Sequence, residues 1–129
     1  MSWKFTNERP IFLQLTERIE LKIIKGDYPP GGKLETVREL ALMAGVNPNT
    51  MQRALAELEN IGVLFSKRGD GRYVTDDSAI ITALRDRYVA QKTQDYISSL
   101  RELSLSDDAI LQAVSDGLRS NSNERKRES

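Results

Sequence analysis

A mainly α-helical fold with one small β-hairpin is what this sequence predicts, and three observations carry the prediction. Ile11, Leu15, Ile19 and Ile23 recur every four residues, the period of one helix face. Two further helix patterns, 36–44 and 47–61, are joined by a very short turn centred on Gly45. Two strand patterns, 63–67 and 72–75, flank Arg68-Gly69-Asp70-Gly71, whose Asp-Gly pair is a strong hairpin signal. Two amphipathic helix patterns without a strand follow.

Each element has its own start and stop signals. Pro10 suits a first helical position, where its missing N–H costs nothing. Phe12 and Ile24 flank the apolar stripe, Gly26 stops it, and Tyr28-Pro29-Pro30-Gly31-Gly32 turns the chain. Lys33-Leu34-Glu35 suggests a brief strand. Thr36-Val37-Arg38-Glu39 fits a capping box, in which the Thr36 hydroxyl accepts from the Glu39 N–H and Glu39 reaches back to the Thr36 N–H. Val37, Leu40, Ala41 and Ala44 share one face, and Gly45 ends the helix. Asn47 is a good N-cap and Pro48 a good first residue for the next one. Met51, Leu55 and Leu58 line its apolar face, and Gly62 closes it. Three helices and a hairpin in this order predict a winged helix-turn-helix domain over residues 1–75.

Beyond Thr75 the pattern changes. Asp76-Asp77-Ser78 is a cap cluster, and Ile80, Ile81, Leu84, Tyr88 and Val89 form a helical stripe that Tyr96, Ile97, Leu100 and Leu103 extend. Ser104-Leu105-Ser106-Asp107-Asp108 breaks it with a fresh cap, and Ile110, Leu111, Val114 and Leu118 mark a final short helix. Residues 76–119 are therefore expected to be a short α-helical tail, and the polar stretch 120–129 to be disordered. Two amphipathic helices need another surface to cover their stripes, and a second copy of the chain is the natural one. Ile80, Ile81, Leu84, Tyr88, Tyr96, Ile97, Leu100 and Leu103 are the expected dimerisation residues. Lining a ligand pocket is the alternative role for this stripe.

Composition narrows the function. The 129 residues contain no cysteine and no histidine, which removes disulfides, thiolate metal sites and the commonest general base. An enzyme would have to work with carboxylates, Lys, Arg, Tyr or hydroxyls alone, so enzymatic function is not expected, nor is a cofactor or metal site. The pairs Asp76-Asp77 and Asp107-Asp108 precede helix starts, where negative charge is favoured without any cation. No apolar run is long enough to span a membrane, and the first residues lack the apolar region of a secretory signal. A cytoplasmic protein with no membrane partner is the expectation. Net charge is zero, with 11 basic and 9 acidic side chains in residues 1–75, so the local placement of charge decides more than the sum.

That placement points to double-stranded DNA. The second helix of the turn motif begins with Asn47, Asn49, Thr50, Gln52 and Arg53, and in this geometry such residues meet base edges in the major groove. Asn and Gln suit adenine and Arg suits guanine, while the helix N-terminus offers N–H groups to a phosphate. Capping alone accounts for Asn47 and Pro48. Lys67, Arg68 and Arg72 surround Gly69 and Gly71 at the hairpin, which allows close backbone approach to phosphates or the minor groove. Lys and Arg there also protect an edge hairpin from aggregation. A protein-interaction module without specific DNA binding is the alternative, since the charge is near neutral. Arg68-Gly69-Asp70, a tripeptide of cell-adhesion ligands, is read as coincidence.

These residues also carry a resemblance. Pro10-Ile11-Phe12-Leu13-Gln14-Leu15, Ile24-Lys25-Gly26, Pro30-Gly31-Gly32-Lys33-Leu34 and Thr36-Val37-Arg38-Glu39-Leu40-Ala41 resemble the opening of GntR-family bacterial regulators. Gly45 to Ala54, Leu58-Glu59, Gly62 and Ser66 to Val74 are similar to that family's recognition helix and wing. The short helical remainder is similar to the YtrA subfamily. The resemblance implies a homodimeric DNA-binding repressor of a transporter-type operon, acting at a pseudo-palindromic operator. It implies DNA contact by Arg38, Asn47, Asn49, Thr50 and Arg53 and by a wing-tip glycine, Gly69 or Gly71. A small-molecule effector is left open. Two departures stand out. Glu35-Thr36 replaces the family's usual Pro-Ser, and Asp70 stands where its wing often has Lys, so both put negative charge near expected phosphates.

Overall fold

The structure is a computed structural model that describes residues 3–128. The order of elements is α1 (Ile11–Lys25), α2 (Val37–Ala44), α3 (Pro48–Asn60), β1 (Leu64–Lys67), β2 (Gly71–Val74), α4 (Ser78–Arg101) and α5 (Asp107–Glu128). It is a mainly helical fold with one antiparallel hairpin, as the sequence predicts. The chain divides into two compact units, Met1–Asp86 and Arg87–Ser129.

In the first unit α3 is the hub, packed against α1, α2 and β1. Its apolar face supplies Met51, Ala54, Leu55 and Leu58, which meet Leu15, Ile19 and Leu40 in the buried core. The hairpin register pairs Leu64 with Val74 and Lys67 with Gly71. Leu64 and Val74 are both buried, so one end of the wing is rooted in the core while its tip stands in solvent. The brief strand expected at Lys33 is a single bridge to Tyr73, extended by the Leu34 N–H donating to the Arg72 carbonyl at 2.9 Å. The turn between α2 and α3 rests on Gly45. Its φ of 73° lies in the left-handed region, which lets its N–H donate to the Ala41 carbonyl at 2.9 Å and end the helix.

The caps form with one change. The Thr36 hydroxyl accepts from the Glu39 N–H at 3.1 Å. Glu39, however, accepts from that same hydroxyl at 2.9 Å rather than from the Thr36 N–H. Asn47 Oδ1 accepts from the Asn49 N–H at 2.7 Å, so α3 starts as expected.

The start of α4 corrects the boundary expected at Thr75. Ile81 and Leu84 are buried within the chain, and the first unit runs to Asp86. The amphipathic pattern marked these residues as apolar but did not show which surface they cover. Asp77 caps α4 by accepting from the Ala79 N–H at 2.9 Å.

In the second unit Ser104, at φ 64°, breaks the helical run. Ser106 caps α5, and Arg101 pairs with Asp107 at 3.0 Å across the break. Asp77 and Asp107 thus act at helix ends, and the described residues hold no group of three or more acidic side chains fit for a metal ion. The final helix is not short, and residues 120–128 are not the structureless stretch expected from their polarity; α5 runs to Glu128, and Ser129 lies outside the described residues. Polarity sets exposure, while local pairs such as Arg119 with Asp116 at 2.7 Å suit a solvated helix. Among the described residues of this unit only Ile110 is a buried apolar side chain. Among the described residues no helix is long and apolar enough to cross a membrane.

Candidate nucleic-acid interface

The buried face of α3 fixes what its other faces present. With Met51, Ala54, Leu55 and Leu58 inside, Asn49, Gln52 and Arg53 are exposed and Thr50 is half-buried. Asn47 spends its carbonyl oxygen on the cap, which leaves its amide N–H groups as donors. Arg38 is exposed on α2, and Lys67 and Arg68 are exposed on the wing.

Two of these side chains are held by neighbours that the sequence did not mark. The Arg53 guanidinium lies over the Phe12 ring of α1, 3.7 Å from its centre. Stacking on the ring face leaves the N–H edges of the guanidinium free to donate. The Lys67 ammonium lies 4.2 Å from the centre of the Tyr73 ring.

Arg72 has partners within the protein. It is among the residues expected to meet DNA, and in the free chain it is held by α3. Its Nε donates to Glu59 Oε1 of α3, and its Nη1 reaches Gln52 Oε1 at 3.4 Å. Only 17% of its side chain is exposed. Ser66 also donates to Glu59, at 2.7 Å. Burial alone would push the Glu59 carboxyl up, but the hydrogen bonds from Ser66 and Arg72 override it and hold the group below the usual carboxylate range. Arg72 therefore braces the wing against the recognition helix.

Both acidic departures find partners within the protein. Glu35 accepts from the buried Tyr28 hydroxyl at 2.7 Å. Burial foremost, then this bond, drives the Tyr28 pKa well up. Asp70 pairs with Lys33 at 2.9 Å and accepts from the Tyr73 hydroxyl. These two bonds hold Asp70 below its ordinary value. At the tip Gly69 has φ 76°, a turn conformation that other residues adopt only with strain. Lys33, Glu35 and Thr36 face Lys67, Arg68, Gly69, Asp70 and Gly71 across an open groove.

The helices and hairpin of this unit fall in a region that known proteins share. Residues 12–74 match the family described as bacterial regulatory proteins, gntR family. The regulator YhcF of Bacillus subtilis is 31% identical over 114 residues, 88% of this chain and 94% of its own length. The chain belongs to the GntR family. A GntR family transcriptional regulator from Listeria monocytogenes superposes with a TM-score of 0.80 at 38% identity, covering 87% of this chain and 98% of that one. The repressor YtrA of Bacillus subtilis is 39% identical over 69 residues, 54% of this chain and 53% of its own, which supports the YtrA subfamily. This GntR-family protein is thus a DNA-binding transcriptional regulator, from a family that regulates rather than catalyses.

Sequence reasoning missed Phe12, Lys33 and Glu59 as supports of the interface. Lys33 and Glu59 act across 37 and 13 residues respectively, and no local pattern signals such a pairing. The expected dimerisation residues are divided. Ile81 and Leu84 are buried, Ile80, Tyr88, Ile97 and Leu100 are half-buried, and Tyr96 and Leu103 are exposed.

Proposed function

We propose that the protein is a homodimeric repressor that reads a pseudo-palindromic operator with α3 of each copy. The observation that carries this reading is the exposed start of α3, where Asn49, Gln52 and Arg53 stand clear of the core. Arg38, Asn47, Thr50, Lys67, Arg68, Gly69 and Gly71 supply the surrounding base-edge and phosphate contacts. The relative YtrA is named a repressor, which supports the same sign of control here and, through the subfamily, a transporter-type operon.

Residues 1–86 form the DNA-binding part and the helices beyond form the dimerisation part. Val89, Tyr96, Leu103, Leu111, Val114 and Leu118 are exposed apolar side chains, and a second copy would cover them. A chain ending at Asp86 keeps Ile81 and Leu84 in place. It is expected to sediment as a folded monomer with reduced operator affinity; a dimer would place the interface elsewhere.

The test of the reading is titration against DNA upstream of its own gene and against scrambled DNA, over a salt series. Tight specific binding whose log affinity falls linearly with log salt is expected. Salt-insensitive binding to a protein, with no DNA bound at low salt, would favour the interaction-module alternative. Arg53→Ala should weaken the operator complex by about 1–3 kcal/mol and relax preference at one base pair. Unchanged affinity would remove base reading from Arg53.

A further inference from the structure

The wing carries an anion at the place where a DNA-binding surface needs cations. Asp70 sits in the turn between β1 and β2, with the Lys33 ammonium at 2.9 Å and the Tyr73 hydroxyl as a second donor. A further cation, Lys67, lies on the Tyr73 ring. Two donors and a neighbouring ammonium around one oxyanion are what a backbone phosphate requires. The Lys33–Tyr73 backbone bridge sets the two donor residues side by side at the hairpin.

The turn itself does not need the carboxylate. The Asp70 N–H donates to the Lys67 carbonyl at 3.0 Å, and Gly69 supplies the left-handed residue. The side chain is therefore not what closes the loop. All three partners are exposed or half-exposed, so a phosphate can reach them.

We propose that Asp70 is a built-in counter-anion that holds a DNA phosphate site, made by Lys33 and Tyr73 beside Lys67, in a self-occupied state. The inference rests on the reading of the wing as part of the DNA interface. Its consequence is selective. Sequence-independent affinity comes from phosphate contacts and counterion release, so an internal carboxylate on one such site weakens binding to non-operator DNA. Base contacts made by α3 are untouched. The ratio of operator to competing binding rises, which is the quantity that matters in a genome full of competing sites.

The experiment uses the full chain and a labelled scrambled duplex, followed by anisotropy over a salt series. Asp70→Asn keeps the shape and an acceptor for Tyr73 but removes the charge. Glu57→Gln, at an exposed position of α3, makes the same change in net charge and reports the general field. Asp70→Asn is expected to tighten scrambled DNA about three- to tenfold at low salt and to steepen the log–log salt slope by about one. Glu57→Gln should change affinity less than about twofold and leave the slope alone. Adding Lys33→Met to Asp70→Asn should return the slope to that of the parent. Asp70→Asn matching Glu57→Gln, or binding more weakly than the parent, would overturn the proposal. Failure of the parent and Asp70→Asn alike to bind any duplex at low salt would instead overturn the DNA interface beneath it.

Discussion

Leu58→Ala is expected to destabilise the first unit by about 2–5 kcal/mol. Leu58 is wholly buried and lies on the helix that packs against α1, α2 and β1 at once. Its carbonyl also accepts from the Val63 N–H at 3.0 Å, at the junction into the wing. Removing the isobutyl group loses its transfer free energy and leaves a cavity among close-packed neighbours. Because α3 is both core and reading head, the loss should extend to DNA affinity as the population of ordered helix falls. Denaturant unfolding followed by circular dichroism measures the effect. A cost below about 1 kcal/mol would mean that the site collapses freely, and that α3 is less central than its packing shows.

Glu59→Ala should cost about 1.5–3 kcal/mol, the range for hydrogen bonds to a charged group. It takes the acceptor from Ser66 and from Arg72 and leaves Arg72 largely enclosed without its counter-charge. The wing should then lose its registration on α3. The same pair predicts a pH dependence. The Glu59 carboxyl is held below its unfolded value, so its contribution is fully present above that unfolded value of about 4.3 and is lost as pH falls through the lower folded value. The difference in Tm between the parent and Glu59→Gln should therefore shrink as pH falls from about 5 to about 3. A constant difference across that window would show that the carboxylate charge is not what braces the wing.

How much of this was legible beforehand varies from residue to residue. Pro10, Thr36, Asn47 and Pro48 mark helix starts through chemistry that acts over one turn, so the sequence suffices to place them. Gly45 and Gly69 mark turns for the same reason. Arg72 shows the opposite case. Basic, and beside two glycines in the wing, it reads as a phosphate ligand, yet a carboxylate thirteen residues earlier claims it. The partner of a charge is set by which elements pack together, and that distance in space is not written in the local pattern.

Ile81 and Leu84 show it for apolar groups. Helical periodicity puts them on one stripe with Leu100 and Leu103, and a stripe says only that something covers it. In the folded chain the first two are buried, whereas Leu103 remains 69% exposed. The sequence by itself determined the order of helices and hairpin, the face of α3 that turns inward and the family. The tertiary structure alone decided that Arg53 rests on Phe12, that Arg72 is a brace and that Asp70 pairs with Lys33. The first set follows from backbone propensity and periodicity, which act between near neighbours. The second follows from packing, which brings together charges and rings that the chain keeps far apart.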